Sequence, residues 1–147
     1  MAASVSTIGY GDTLEWSTDG GSTYDNEVAE LKSCDVPTHS VEKIERTHMG
    51  SPDRTKEFTP GLRDTGDVSF TFNFNSADYE ALYTLETNGT VVDWKHTLST
   101  NDGETTGATY EYKGFVELSG GTREVEGVTE VTATIKRTGA AIFTAGS

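Results

Sequence analysis

Cys34 is the only cysteine in the chain, and His39 follows it five residues later. A thiol beside an imidazole could act as a nucleophile if a third group oriented the base, and no such group is spaced to do so. The residue reads instead as a half-buried strand position, and a single cysteine excludes an internal disulfide framework. His39, His48 and His96 stand apart, with no partner one helical turn away and no cysteine companion, so nothing here has transition-metal spacing. His96 reads as a core or edge residue with its hydrogen bonds satisfied. Gly9-Tyr10-Gly11 and Gly120-Gly121 lack the strand, helix and lysine of a phosphate cradle. Asn101-Asp102-Gly103-Glu104 reads as a turn, without the ligand spacing of a calcium loop. There is no Gly-x-Ser-x-Gly elbow. Carboxylates are too numerous for any pair to stand out as a glycosidase couple. These residues predict neither an enzyme nor a bound cofactor.

The elements around them read mainly as strands. Val68, Phe70, Phe72 and Phe74 alternate with Asp67, Ser69, Thr71 and Asn73, which predicts a central strand with one buried and one wet face. Ser76 is placed to cap a helix, with Asp78 and Glu80 in its first turn. Tyr79, Leu82 and Tyr83 supply a narrow apolar stripe, and Asn88-Gly89 ends the helix. Before this unit, Leu14 and Trp16 point inward from a short strand, Asp19-Gly20-Gly21 turns, and Tyr24 to Cys34 is expected to pair back as a hairpin. After it, one strand holds Val92, Trp94 and Leu98. The next alternates Tyr110, Tyr112, Val116 and Leu118 against Glu111, Lys113 and Glu117, with Gly114-Phe115 breaking the pattern. Ser119 to Gly127 reads as a flexible acidic loop. A closing strand from Val128 to Arg137 turns Val131, Ala133 and Ile135 inward and Glu130, Thr132, Thr134 and Lys136 outward, and a weakly polar tail follows.

Residues 35–60 do not fit this scheme. A marginal strand from Val41 to His48 leads into a polar stretch carrying Glu45, Arg46, Met49, Ser51, Pro52, Asp53, Arg54 and Lys56. Apolar residues are sparse and mixed charges dense. An excursion this long either stays unpartnered or packs on another subunit.

The 147 residues suit one domain, with residues 1–12 as a loose arm and no internal repeat. Abundant threonine and short alternating runs favour an antiparallel β-sandwich with one flanking helix. Its expected core is Phe70, Phe72, Phe74, Leu82, Trp94 and Ile135. Twenty-four acidic against eleven basic residues give a net charge of −13, which disfavours a sequence-reading nucleic-acid binder. No run has the length of a signal peptide or a membrane span, so a soluble protein assembled in a cytoplasm is expected.

Several runs together resemble the major tail tube proteins of long, non-contractile-tailed bacteriophages. They are Ile44-Glu45-Arg46-Thr47-His48, Ser51-Pro52-Asp53, Glu57-Phe58-Thr59-Pro60-Gly61-Leu62-Arg63-Asp64-Thr65-Gly66, the strand Asp67 to Asn75, Tyr110-Glu111-Tyr112-Lys113-Gly114-Phe115-Val116 and Val131 to Gly139. Glu45-Arg46 stand where that family often carries Asp-Val. The resemblance implies a β-sandwich forming six-membered rings that stack into a hollow tube for phage DNA. It further implies tape-measure, tail terminator and tail tip partners, with no membrane insertion. The long excursion then finds its partner on a neighbouring subunit. Asp67, Ser69, Thr71, Asn73, Glu111, Glu117 and Glu130 become candidates for a negative channel lining. The competing class, a carbohydrate- or protein-binding module of an adhesin, needs an aromatic platform on a wet face, whereas most aromatics here alternate inward.

Overall fold

The computed structural model describes residues 9–100 and 104–147. Among these residues nine strands run antiparallel: β1 Thr13–Ser17, β2 Asn26–Glu27, β3 Leu31–Cys34, β4 His39–Glu45, β5 Phe58–Thr65, β6 Val68–Asn73, β7 Val92–Thr97, β8 Thr109–Leu118 and β9 Glu130–Thr144. One α-helix, α1 (Ser76–Asn88), joins β6 to β7. Seven strands form one sheet in the order β2-β1-β7-β8-β9-β6-β3, and β4 and β5 form a separate ribbon.

The protein is mainly β and antiparallel, with one helix, as its alternation predicts. The two facing layers come from one sheet that curls over itself rather than from two sheets. Phe70 on β6 and Trp94 on β7 are separated within the sheet by β9 and β8, yet their ring centroids lie 6.1 Å apart. Trp16 meets Trp94 at 5.7 Å and Phe70 meets Phe72 at 5.8 Å inside the same curl. Val68, Phe70 and Phe72 are buried opposite Ile135, Ala133 and Val131 in the β6–β9 register. Each of the valine, isoleucine and phenylalanine side chains contributes roughly 1.5–3 kcal/mol by leaving water.

Several expectations shift. Asn75, not Ser76, caps α1, its side-chain oxygen accepting from the Ala77 amide at 3.0 Å. The register moves by one because Asn75 is already extended and Ser76 already helical. The buried stripe of α1 is Leu82 with Leu85, while Tyr83 is exposed and stacks on Tyr79. Phe74 lies one residue past β6, where it is 42% exposed and packs on Tyr79 rather than in the core. Gly89 ends the helix as read, at a φ of 62° that favours glycine.

Residues 24–34 do not make one hairpin arm. Asn26–Glu27 pairs with β1 at one edge of the sheet, Val28 is buried, and Leu31–Cys34 pairs with β6 at the other edge. The imperfect alternation at Val28-Ala29 marks this crossing. Asp78 on α1 holds it, accepting from the Ala29 amide at 2.9 Å. Gly114 does not break its strand: Tyr112, Gly114 and Val116 all face inward, and the irregularity in the β8–β9 ladder falls between Glu111 and Lys113. Beyond Arg137, β9 continues through Gly139 to Thr144, so the expected tail is strand. Of the arm, residues 1–8 lie outside the described residues, as do positions 101–103 of the expected turn. Asp12 is anchored, accepting from the Ser99 amide at 2.8 Å and contacting His96 at 3.1 Å.

Candidate functional site

The outer face of the curled sheet is mostly polar, with Phe115, across from Lys136, and Ile142, across from Glu111, exposed on it. Period-two alternation puts Ser69, Thr71 and Asn73 opposite the buried Phe70 and Phe72, and β9 matches them with Thr134, Thr132 and Glu130. The Ser69 and Thr134 hydroxyls lie 3.4 Å apart, and those of Thr71 and Thr132 3.3 Å apart. Asp67 precedes β6 and pairs with Lys136 at 3.2 Å, while Glu130 pairs with Lys32. On the neighbouring strands Glu117 sits across from Thr134, Glu111 across from Lys95, and Lys113 across from Asp93. The seven residues read as a channel lining therefore share one face. Beside the hydroxyls, amides and spaced carboxylates expected there, that face also carries lysines, which alternate with the acids across the ladders. Sequence periodicity identified the acids; cross-strand neighbours needed the register.

The excursion is a β-ribbon. His39–Glu45 pairs with Phe58–Thr65, and every residue of β4 is exposed. Pro60 fits within β5 because this is a two-stranded ribbon with a bulge opposite, between Val41 and Lys43. Glu45 ends the first strand, and the tip holds Arg46, the fully exposed Met49 and a single 3₁₀ turn, Pro52–Arg54. Asp53 and Arg54 both adopt left-handed backbone, with φ of 54° and 56°, at a cost of roughly 1–2 kcal/mol each. Side chains brace this tip: the Ser51 hydroxyl donates to Glu57 at 2.8 Å and accepts from the His48 amide at 2.9 Å. Lys56 points to solvent beside them. An isolated hairpin is marginal in water, so a ribbon exposed along the whole of one strand needs a covering surface.

The residues that could have done covalent chemistry are set for packing. Cys34 faces the core beside Phe70, and burial, with Asp35 and Asp12 nearby, pushes its thiol up to about 12. A thiol held neutral at ordinary pH is a poor nucleophile. His96 is 1% exposed and contacts Asp12 as a structural pair. No three metal-ligating side chains gather among the described residues, and no described helix is long and apolar enough to cross a membrane.

Sequence reasoning missed Arg137. It is 5% exposed, donates from Nη1 to the Thr38 carbonyl, and lies 5.7 Å from the Tyr112 ring centre. It ties the base of the ribbon to β9 and walls a cleft of about 560 Å³ there. Its inward parity after Ile135 was legible; its role was hidden because the strand was expected to stop at that residue.

Residues 17–146 match the family described as phage tail tube, TTP, lambda-like. The chain belongs to that family. Tail tube proteins are structural components of virion tails, and this chain is a structural tail tube protein rather than an enzyme. The tail of an empty gene transfer agent particle, solved with C6 symmetry, superposes at a TM-score of 0.66, with 18% identity over 95% of this chain and 100% of that one. The tube-terminating cap of the anti-feeding prophage gives 0.73, with 14% identity over 99% and 95%. The tube terminator of an extracellular contractile injection system also gives 0.73, with 13% identity over 98% and 100%. At these identities the likeness is one of fold. No curated protein matches the chain significantly. Family membership leaves the adhesin module without support.

Proposed function

We propose that this tail tube protein polymerises as six-membered rings stacked into the tube of a long, non-contractile phage tail, through which DNA is delivered. The observation that carries this reading is the β4–β5 ribbon, which is well formed yet leaves one strand wholly exposed. A neighbouring subunit supplies the missing cover, so Glu45, Arg46, Met49, Ser51, Pro52, Asp53, Arg54 and Lys56 are inter-subunit residues. Open sheet edges at β2 and β3 give further places for a neighbour to pair. The sixfold count is supported by the C6 symmetry of the gene transfer agent tail.

In this arrangement the polar sheet face lines the channel. Hydroxyls, amides and alternating charges make a hydrated wall with no cationic cluster to grip phosphates, so DNA slides without sequence-specific contact. Assembly takes place in the host cytoplasm on a tape-measure protein, between a tail tip and a tail terminator. Negative-stain microscopy of the purified full-length chain tests the reading: rings or tubes with sixfold end views are expected. A chain that remains monomeric at high concentration overturns it.

A further inference from the structure

Arg137 carries a charge that the described chain does not pair. No carboxylate among the described residues lies within ion-pair distance of it, and its Nε has no hydrogen-bond partner although the residue is 95% buried. Leaving a guanidinium in this state is costly, and a carboxylate from outside relieves it. The cleft beside it is lined by Pro37, His39, Arg63, Tyr110, Phe143, Ala140 and Ala141; Asp64 is the one acid among the described lining residues. The cleft is thus apolar and cationic in a chain of net charge −13. Its chemistry fits a carboxylate carried next to a small apolar side chain.

The same chain offers that combination elsewhere. The β8–β9 loop closes as a turn, the Gly127 amide facing the Glu124 carbonyl at 3.5 Å, with Val125 and Glu126 at its tip. Residues 119–128 are all exposed, Val125 completely, and neither Glu124 nor Glu126 has an ion-pair partner among the described residues. This turn precedes the first residue of β9, whereas the cleft is built on residues 137–143 of that strand. Seven residue steps along the strand take Glu130 to Arg137, roughly 23 Å. Knob and socket lie toward opposite ends of one subunit, the geometry of a head-to-tail contact that propagates without closing.

We propose that the Glu124-Val125-Glu126 turn of one copy enters the Arg137–Arg63 cleft of the next, and that this contact joins successive rings. It rests on the tube reading above and assigns one of that assembly's interfaces. Residues 1–8 contain no carboxylate and are no rival occupant.

The test uses the full-length chain, with tubes followed by sedimentation and negative-stain microscopy and folding by circular dichroism. Glu124→Arg with Glu126→Arg, all in an exposed loop, should leave the melting temperature unchanged and raise the concentration needed for tubes at least about tenfold, the loss of one good charge contact. Arg63→Glu, which leaves Arg137 in place, should do the same. Combining Arg63→Glu with Glu124→Arg alone should recover part of the loss, because that one pair is exchanged while Glu126 still faces Arg137. Tubes forming at wild-type concentration in the turn variant overturn this inference alone. So does an equal loss on Asp102→Asn, which would mean that a carboxylate of the same chain fills the cleft. A wild-type chain that forms neither rings nor tubes overturns the tube reading itself and this contact with it.

Discussion

The indole Nε1 of Trp94 donates a 3.0 Å hydrogen bond to the carbonyl oxygen of Gly114, joining a fully buried core tryptophan to the one position where β8 has no side chain. A Cβ at Gly114 would stand 2.5 Å from the Lys136 carbonyl and 2.7 Å from the Ile135 side chain. The glycine therefore lets β9 and the indole approach together. Gly114→Ala is expected to cost roughly 1–3 kcal/mol by overpacking. Trp94→Phe, which removes the donor and some volume, should cost a similar amount. Urea midpoints of the dissociated subunit check both; an unchanged midpoint for Gly114→Ala would show that β9 can move aside freely.

Phe72 and Phe74 separate core from rim on one strand. Phe72 is fully buried, so Phe72→Ala should cost roughly 3–5 kcal/mol. Phe74 keeps 42% of its surface in water and contacts Tyr79, so Phe74→Ala should cost well under half as much. Equal losses at the two positions would place Phe74 in the core after all.

How far the fold was legible follows from such positions. Period two in Val68–Phe72, Val92–Trp94 and Val131–Ile135 is set by burial on one face, and it located the core directly. Phe74 misled because alternation continues for one residue after the ladder stops. Residues 138–144 escaped because β9 is exposed there, so no alternation advertises the strand. Of the ribbon only the first strand was legible, as a marginal strand from Val41 to His48 where His39–Glu45 is found, since neither strand has a buried face to impose a pattern. The acids of the polar face were readable, but their lysine partners come from other strands. Arg137 and its cleft required the tertiary structure.

Alkali should expose the buried acids of the core. Cys34 ionises near 9.0 in an unfolded chain but only at about 12 in the folded one, chiefly because of burial. Tyr112 shifts upward from 10.0 for the same first reason, with its hydroxyl unpartnered. For groups whose folded pKa is raised, the unfolded state releases protons first. Their stabilising contribution is complete below pH 9 and is lost as pH rises toward 12. Stability should fall steeply across that window, and Cys34→Ala should flatten the fall. At pH 8 a thiol reagent should label the folded chain far more slowly than the denatured one, the thiolate fraction differing about a thousandfold between a pKa of 9.0 and about 12. Rapid labelling of the folded chain contradicts the assigned burial.

Deleting Met49 to Lys56 removes the ribbon tip, including its two left-handed residues, without touching any buried hydrophobic. The variant should melt within a few degrees of the parent, since exposed segments contribute little. It should also fail to grow tubes. Normal polymerisation of the deletion variant would remove the ribbon tip from the assembly interface.

The polar face gives the last expectation, and its pairings change how it must be tested. Asp67 and Glu130 are each held by a lysine, Lys136 and Lys32 respectively. Pairs this exposed contribute about 0–1 kcal/mol, so reversing both acids should leave the core and assembly largely intact. Electrostatically the change is large. Asp67→Lys with Glu130→Lys places each new cation beside an existing one and turns an alternating face into a basic stripe along β6 and β9. In a channel, such a stripe neutralises phosphates and releases counterions, so DNA should stick to it, and more firmly as salt is lowered. At physiological ionic strength screening reaches about 8 Å, which confines the effect to DNA close to the wall. The measurement is the rate of DNA release from virions whose tails have assembled normally, at moderate and at low salt. Slower release, worsening at low salt, places this face in the channel. Unchanged release from normal tails places Asp67 and Glu130 elsewhere on the tube.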